Sequence, residues 1–282
     1  MTKIIDGKKL RDEILVRVKE EIAKLSFQPV FCDVLVGDDP ASKQYVEMKA
    51  RTAEMVGIYF HHSSFPATIT TEDLIKEIKI LNKIPNMCGL IVQLPLPISI
   101  DRTKVLDAID PDIDVDCLGE VASEKFFSNK TDIGRPTAVS CMELLDSVNL
   151  DLKNKKILIL GQGELVGRPV TALMKFRGLN PMIAVKDTKN QAELMKEADI
   201  IISGTGQGGL ITGDKIKKGV VIIDAGTSKM DGKIVGDVDR KSVEGIASFI
   251  SPVPGGVGPM TVAILLSNVL QVAKIKTKNL TP

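Results

Sequence analysis

Short apolar runs alternate with amphipathic stretches along this chain, and each pattern predicts a different element. A short run of Val, Ile and Leu between polar residues is typical of a buried parallel strand. Apolar residues spaced three or four apart are typical of a helix with one buried face. Residues 156–160 show the first pattern, and the residues that follow Gly163 show the second. Their alternation predicts an α/β fold with a parallel sheet covered on both faces.

The same patterns divide the whole chain into predicted elements. In the first half they are a helix at 4–25 capped by Asp6, a strand at 30–36, a helix at 40–56, a strand at 58–63, a helix at 70–82, a strand at 88–94 and a short helix at 101–109. In the second half they are a helix at 137–149, strands at 156–160 and 182–185, a helix at 190–197, strands at 200–203, 220–224 and 247–250, and a helix at 260–275. We expect two domains, residues 1–140 and residues 141–259, with the C-terminal helix in 260–282 closing the first domain.

The strand at 156–160 ends directly in a glycine turn formed by Gly161, Gly163 and Gly167. Glycines let backbone N–H groups approach a pyrophosphate, and the following helix N-terminus adds a partial positive charge. The glycine spacing is one residue longer than in the common dinucleotide fingerprint, so a strand-to-helix turn without a ligand stays an alternative. We favour a Rossmann-type nucleotide-binding domain because strand and helix patterns flank the turn. A glycine-rich loop at 204–209 also follows a strand, where open α/β sheets bind ligands.

Charge and composition argue against several classes of protein. The net charge of +1, with dispersed charged residues, gives no reason to expect nucleic acid or an acidic membrane surface. The four cysteines are far apart and the two histidines are adjacent, so no zinc-ligand spacing is present and a reducing cytoplasm is favoured. The charged N-terminal stretch lacks an apolar signal region, and no apolar run predicts a membrane span. We expect no metal.

Ser42, Tyr45 and Lys49 share one face of the predicted helix at 40–56. A lysine beside a phenol and partly removed from water can act as an acid or a base near neutral pH. The alternative is an ordinary amphipathic helix with Tyr45 buried and Lys49 in solvent. Short-chain dehydrogenases use the same Tyr–Lys spacing, but they place it after the glycine loop, so the order of motifs argues against that class.

Three further stretches could carry chemistry. Asp112, Asp114 and Asp116 alternate, so an extended segment would place these carboxylates on one face, where they could bind the N–H donors of an aminopyrimidine or simply be solvated. The sequence lacks the glycine and glutamate of a calcium loop. Gln93 ends an apolar strand, where its amide could either contact a ligand or cap the strand. The Gly- and Pro-rich stretch 254–259 suits close approach to a ligand or a hinge.

Taken together, these stretches resemble the bifunctional methylenetetrahydrofolate dehydrogenase/methenyltetrahydrofolate cyclohydrolase family over nearly the whole chain. The first family motif is similar to residues 36–42 with Tyr45, Val46 and Lys49, and the second is similar to residues 89–97. The C-terminal signature is similar to residues 236–239 and 251–261. The resemblance implies a folate-binding α/β/α catalytic domain followed by the nucleotide-binding domain, with folate in the cleft between them.

The resemblance also implies roles for individual residues. The implied catalytic residues are Lys49, Tyr45, Gln93 and Asp116. The implied substrate-binding residues are Ser42, Tyr45, Gln93, Leu94, Pro95, Asp116, Pro254, Gly255 and Gly256. The implied cofactor-binding residues, together with our own reading of the glycine loops, are Gly161, Gln162, Gly163, Val166, Gly167, Lys186, Gly204, Thr205, Gly206 and Thr227.

Three departures from the family pattern leave alternatives open. Cys117 stands at a usual glycine position, and the loop at 135–140 lacks the family's Pro-Cys-Thr-Pro sequence. Gln162 replaces the arginine that commonly meets the 2′-phosphate of NADP, and either Lys186 or Asp187 could set cofactor choice. The resemblance implies an NADP-dependent (NAD being an alternative) dehydrogenase and cyclohydrolase acting on tetrahydrofolate substrates as a cytoplasmic homodimer. The rivals are a dehydrogenase without cyclohydrolase activity and a non-catalytic nucleotide- or folate-binding sensor.

Overall fold

A computed structural model describes residues 1–230 and 232–280, with side chains up to residue 278. The elements in chain order are β1 (Lys3–Ile4), α1 (Gly7–Ile22), β2 (Val30–Val36), α2 (Pro40–Met55), β3 (Tyr59–Phe65), α3 (Thr71–Leu81), β4 (Met87–Val92), α4 (Arg102–Leu106), α5 (Glu120–Phe127), α6 (Pro136–Asp146), β5 (Ile157–Leu160), α7 (Gly167–Phe176), β6 (Met182–Ala184), α8 (Gln191–Glu197), β7 (Ile200–Ser203), β8 (Val221–Asp224), β9 (Ser228–Met230), β10 (Lys233–Val235), α9 (Arg240–Val243), β11 (Phe249–Ile250) and α10 (Val257–Leu280). A 3-10 turn lies at Gly213–Lys215. The α/β class with parallel sheets is confirmed.

The chain divides into two compact units, which we name after one residue of each. The Lys49 unit contains Glu13–Arg135 and Leu265–Pro282, and the Gly161 unit contains Met1–Asp12 and Pro136–Ile264. The division therefore follows residue 135 rather than 140, and the first twelve residues belong to the nucleotide-binding side. The reason is β1, which pairs in parallel with β11 and was missed in the predicted helix at 4–25.

The Lys49 unit is built on a parallel sheet of order β3-β2-β4. Every residue of β2 and β4 is buried, as the apolar runs predict, and α2 packs on β2 and β3. Helix α2 begins with Pro40 in its first turn, and the Asp39 carboxylate caps it by accepting the Ser42 N–H at 2.8 Å. This cap fixes where the helix begins, and hence which of its residues face the sheet.

The Gly161 unit is built on a six-stranded sheet of order β1-β11-β8-β7-β5-β6, in which every pairing is parallel. Apolar residues of the central strands pack with α8 and the segment at 211–220 into one core. An antiparallel β9–β10 hairpin, α5 and α9 are elements that the sequence pattern missed. Since all the strands of this sheet run in one direction, their carboxyl ends lie along a single edge, which we call the carboxyl edge.

Helix α10 corrects the expectation that no part of the chain is long and apolar enough to cross a membrane. Among the residues described by the structure, Val257–Lys278 passes that test by length and composition alone. However, 61% of the apolar window is buried inside the protein, as in the core helix of a globular domain. This helix therefore gives only weak evidence for a membrane span.

Candidate active site

Lys49 is the centre of the site in its unit, because it is a long cation that is only 2% exposed. Its Nζ forms an ion pair with the Asp33 carboxylate and donates a hydrogen bond to Gln93 Oε1 at 2.7 Å. It also lies 5.0 Å from the centroid of the Tyr45 ring. Helix α2 brings Tyr45 and Lys49 together because residues four apart lie on the same face. The alternative of a solvated Lys49 is wrong.

Gln93 reaches this lysine because it directly follows β4 at the carboxyl end of the sheet. Its backbone N–H continues the ladder by donating to Val34 O at 2.9 Å, and its side-chain Nε2 donates to Leu94 O at 2.6 Å. These contacts leave Oε1 as the acceptor for Lys49. Leu94 is half-buried, while Pro95, joined to it by a cis peptide bond, is exposed beside the amide.

Asp33 is a member of the site that sequence reasoning missed. It lies in β2, the central strand, and is fully buried. Burial raises the pKa of the Asp33 carboxyl, and the charge of Lys49 acts in the opposite direction. A signal was present in the sequence, since a charged residue inside an apolar buried run requires a partner.

The prediction that Asp112, Asp114 and Asp116 lie on one face of an extended segment is wrong. Residues 110–117 form consecutive turns, in which Asp110 O accepts from the N–H groups of Ile113 and Asp114 at 2.9 and 3.1 Å. Asp114 is buried and accepts the N–H groups of Leu118 and Gly119 at 2.9 and 2.8 Å, whereas Asp112 is exposed. Of the three carboxylates, only that of Asp116 is left facing Lys49.

Asp116 is partly buried, and its carboxylate accepts no hydrogen bond from the described residues. Burial raises the pKa of Asp116 to about 7; Lys49 opposes the shift, and Asp114 and Asp33 add to it. Burial, with Asp116 as the next cause, likewise raises the pKa of Tyr45 to about 12. The site therefore offers a lysine that can move a proton, a neutral phenol, and a carboxyl that changes charge near neutral pH.

The altered loop places Arg135 inside the Lys49 unit. Arg135 is buried, donates to Ser123 Oγ at 2.9 Å and places its guanidinium 5.2 Å from the Phe127 ring. Its positive charge acts on Asp116, whose pKa it lowers slightly against the effect of burial. Arg135 thus places a positive charge near Asp116 in the Lys49 unit.

The predicted cofactor residues gather at the carboxyl edge of the Gly161 unit. Strands β6, β5, β7 and β8 are adjacent, and the loops that follow them carry Lys186, Gly161–Gly163, Gly204–Gly206 and Thr227. The Gly161 N–H donates to Ala184 O at 2.8 Å, and the Gly204 N–H donates to Leu160 O at 3.0 Å, so these loops begin where the ladder ends. Lys186 and Thr227 are exposed there.

The glycines at this edge are required by close backbone contacts. A Cβ on Gly167 would overlap the Gly161 carbonyl, and a Cβ on Gly204 would overlap the Val166 side chain. Gly161 has a φ of 87°, whereas a Cβ on Gly163 would meet open space. Together with the N-terminus of α7 beside this open loop, the residues fit the pyrophosphate of a dinucleotide.

Gln162 does not extend into the open space beside the turn. Its Nε2 donates to Gly161 O at 2.9 Å and to Thr171 Oγ1 at 3.1 Å, which holds the side chain against α7. The Gln162 side chain is therefore part of the turn itself. Lys186 remains the predicted contact to a 2′-phosphate.

Two buried carboxylates that the sequence analysis missed support the loop after β7. Asp237 accepts the Ser203 hydroxyl at 2.5 Å and the Thr205 N–H at 2.8 Å. Asp224 accepts the N–H groups of Asp237 and Val238 at 3.1 and 3.0 Å, and burial raises the pKa of Asp224 to about 6. This network holds Gly204 and Thr205 in place.

The Pro254–Gly256 stretch has a defined backbone in the Gly161 unit. The Val253–Pro254 bond is cis, and the Gly256 N–H donates to Pro252 O at 2.7 Å. A Cβ on Gly7 would overlap the carbonyl oxygens of Gly255 and Gly256. The stretch is therefore packed within its own unit.

Comparisons with known proteins identify the family of both parts of the chain. A sequence profile of the tetrahydrofolate dehydrogenase/cyclohydrolase catalytic domain matches residues 5–116, and that of the corresponding NAD(P)-binding domain matches residues 135–277. The chain belongs to the tetrahydrofolate dehydrogenase/cyclohydrolase family. The predicted resemblance, the two-domain α/β fold and an NAD(P)-binding domain are thereby confirmed.

Individual members of the family are similar over almost the full length. The bifunctional protein FolD of Nautilia profundicola is 42% identical over 275 residues, covering 96% of this chain and 97% of that relative. The crystal structure of the bifunctional enzyme FolD from Campylobacter jejuni has a TM-score of 0.94 at 34% identity, covering 98% of this chain and 100% of the other. The Trypanosoma brucei enzyme, solved with NADP and an inhibitor, has a TM-score of 0.91 at 32% identity, covering 98% of each chain.

Proposed function

We propose that this chain oxidises 5,10-methylenetetrahydrofolate to 5,10-methenyltetrahydrofolate with NADP and hydrolyses the product to 10-formyltetrahydrofolate. The observation that carries the proposal is the buried Lys49 amine, which donates to Gln93 Oε1 at 2.7 Å within the part of the chain that matches the catalytic domain. A protein that only binds folate or nucleotide has no need of a buried lysine in this position. The relatives described as bifunctional support both activities.

In the first reaction, bound NADP supplies a nicotinamide that accepts the hydride from the methylene carbon. The chain's own contribution to this reaction is orientation. Asp116 accepts N–H donors of the pterin, and the Tyr45 ring, beside Lys49, packs on it. Ser42, Leu94 and Pro95 complete the proposed folate contacts of the Lys49 unit. No proton leaves the methylene carbon, so this step depends on placement and much less on Lys49.

In the second reaction, Lys49 moves protons. A water oxygen forms a bond to the methenyl carbon, and the neutral Lys49 amine takes one proton from that water. The bond between this carbon and the pterin nitrogen then breaks, its electron pair stays on the nitrogen, and the Lys49 ammonium protonates that nitrogen. The remaining hydroxyl proton leaves as the formyl group forms, so the balance is one proton released to solvent. Gln93 holds the amine in position throughout.

At the cofactor edge, Lys186 is proposed to bind the 2′-phosphate of NADP. The Lys186→Ala variant should therefore bind NADP more weakly and NAD almost as before, because a lysine offers the phosphate a point charge. Binding is measured by titrating each cofactor into the protein at fixed ionic strength. Lys155→Ala is the matched control, since Lys155 is an exposed lysine that precedes β5 at the opposite end of the strands. An equal loss for NADP and NAD would remove Lys186 from the 2′-phosphate site.

One assay separates the proposal from its rivals. Methenyltetrahydrofolate formation and decay are followed spectrophotometrically with NADP and, separately, with NAD. We expect formation with NADP followed by enzyme-dependent decay to 10-formyltetrahydrofolate. Formation without enzyme-dependent decay would mark a dehydrogenase without cyclohydrolase activity, and binding without turnover would mark a sensor; either result overturns the proposal.

We also propose that the protein works as a homodimer in the cytoplasm. The homodimer rests on the family resemblance, and the four free, buried cysteines support a reducing compartment. Light scattering of the eluting protein tests the dimer, and a monomer at the working concentration contradicts it.

A further inference from the structure

Asp33 lies at a position where burying a carboxylate costs free energy. It is fully buried in β2, between His62 of β3 and Ile91 of β4 in the strand register. An apolar residue would fill this strand position without the cost of removing a carboxylate from water. Packing alone therefore gives no reason for an aspartate here.

The contacts of Asp33 connect it to one side chain. Its Oδ2 pairs with Lys49 Nζ, while its Oδ1 has no hydrogen-bond partner among the described residues. Replacing a buried ion pair by apolar residues is often neutral or stabilising, so such a pair is weak evidence for a stabilising role. What the pair does fix is the place of the Lys49 amine, at 2.7 Å from Gln93 Oε1.

We propose that Asp33 is a positioning residue of the hydrolytic reaction, which holds the Lys49 amine beside Gln93 and favours the protonated form of that amine. This inference rests on the proposed function. The carboxylate stabilises the ammonium that forms when Lys49 takes a proton from the attacking water. Lys49 can then keep that proton until the pterin nitrogen leaves and receives it. Asp33 itself exchanges no atom with the substrate.

Other charged and titratable side chains lie around the Asp33–Lys49 pair and affect its charge. Asp116, in the turns at 110–117, adds a second negative charge toward Lys49, and Tyr45 on α2 lies beside the amine. His62 on β3 acts weakly on Asp33, and Arg135 faces Asp116. Asp114 also acts on Asp116, but its carboxylate is held by backbone N–H groups. Among the described residues, Lys49 thus faces two carboxylates, of which only that of Asp33 is paired with it.

The test compares Asp33→Asn and Asp33→Val with the unaltered chain. Removing the negative charge disfavours the ammonium form of Lys49, so Lys49 should lose its proton at lower pH. The rising limb of the cyclohydrolase kcat against pH should therefore move to lower pH by about one unit or more. The KM for methenyltetrahydrofolate and the dehydrogenase kcat should stay close to those of the unaltered chain. Asp33→Val is included because a β-branched residue suits a central strand if Asp33→Asn folds poorly.

Asp112→Asn is the matched control, because it removes one carboxylate from an exposed position of the same unit. Its pH profile should coincide with that of the unaltered chain. A coinciding profile for the Asp33 variants would overturn the proposal. Equal losses of both activities, with lower thermal stability and no pH shift, would also overturn it, since those results mark a purely structural residue.

A second readout does not depend on turnover. The Lys49 side-chain nitrogen is titrated by ¹⁵N NMR in the unaltered chain and in Asp33→Asn, with Lys49→Met identifying its signal. A midpoint at lower pH in Asp33→Asn supports the proposal, and an unchanged midpoint overturns it. If the unaltered chain does not hydrolyse methenyltetrahydrofolate, the proposed function fails, but the titration still decides whether Asp33 controls the proton of Lys49.

Discussion

The Lys49→Met variant is expected to lose cyclohydrolase activity by about 10²–10⁴-fold, the usual contribution of a positioned acid or base. Hydrolysis needs a group that takes a proton from water and returns one to the pterin nitrogen, and no other described amine contacts Gln93. Dehydrogenase activity should fall much less, because hydride transfer requires no proton from the substrate. The variant should therefore accumulate methenyltetrahydrofolate, which a coupled spectrophotometric assay detects directly.

Two matched variants separate chemistry from folding in this experiment. Lys49→Arg keeps a cation opposite Asp33 but does not give up its proton at working pH, so it should also fail to hydrolyse. Lys43→Met removes an exposed lysine from the same helix and should leave both activities unchanged. Normal hydrolysis by Lys49→Met or by Lys49→Arg would remove the lysine from the mechanism.

The Lys49→Met variant also leaves Asp33 buried without its cation. Removing one member of a buried pair is strongly destabilising unless the remaining group becomes neutral. Since burial already raises the pKa of Asp33, we expect this carboxyl to take up a proton in the variant. The double variant Asp33→Val with Lys49→Met should therefore be at least as stable thermally as Lys49→Met alone, while remaining without cyclohydrolase activity.

The sequence predicted most of the fold because local signals and burial agree. Residues Val30–Val36 and Ile200–Ser203 form strands with the predicted bounds, since short apolar runs fit a sheet that is covered on both faces. Asp6, the predicted cap, accepts the N–H groups of Lys8 and Lys9 at the start of α1, so this polar signal was read correctly.

Elements that depend on distant partners could not be predicted in this way. Lys3–Ile4 forms a strand only because β11, far along the chain, offers a free edge. Residues 110–117 have the alternation of an extended segment, but the Asp114 carboxylate accepts nearby backbone N–H groups and stabilises turns instead. Local periodicity carries no information about either contact.

In the candidate site, too, residues with local sequence signals could be predicted and a residue that depends on tertiary packing could not. Tyr45 and Lys49 could be paired from helical spacing, and Gln93 could be placed because it ends a strand. Asp33 could not be assigned to the site from sequence because the other residues of its strand are mostly apolar and its partner, Lys49, is on a different element. Which lysine a buried aspartate meets depends on how α2 packs against β2, and that packing is a tertiary property.

The Asp116→Asn variant is expected to raise the KM for the folate substrate by about 10- to 150-fold. This range corresponds to the loss of a hydrogen bond to a charged group, which is worth about 1.5–3 kcal/mol. The Asp116 carboxylate accepts no hydrogen bond from a described donor and, unlike that of Asp33, is only partly buried, so a ligand N–H group can use it. The KM for NADP should change little, because the cofactor residues follow the strands of the Gly161 unit. The control is Asp112→Asn, which changes an exposed carboxylate four residues before Asp116.

The pH dependence of this variant gives an independent check. Since burial raises the pKa of Asp116 to about 7, the carboxyl of the free protein becomes neutral as the pH falls through that value. The KM for folate in the unaltered chain should therefore rise below about pH 7, and Asp116→Asn should lack this rise. If Asp116→Asn had unaltered folate kinetics at every pH, Asp116 would have no role in folate binding.

The raised pKa of Asp116 also predicts how the stability of the free protein depends on pH. This effect on stability is opposite in sign to the effect on folate binding. A carboxyl whose pKa is about 7 when folded, against the ordinary value of 3.8, favours folding at low pH, and this contribution is lost as the pH rises through about 7. The ionised Asp116 therefore destabilises the free protein above that pH. Thermal unfolding should show Asp116→Asn more stable than the unaltered chain at pH above about 7, with the difference vanishing below about 3.8. A variant that weakens folate binding and yet stabilises the free protein is what a binding carboxylate predicts, whereas loss of both would mean that Asp116 supports the fold.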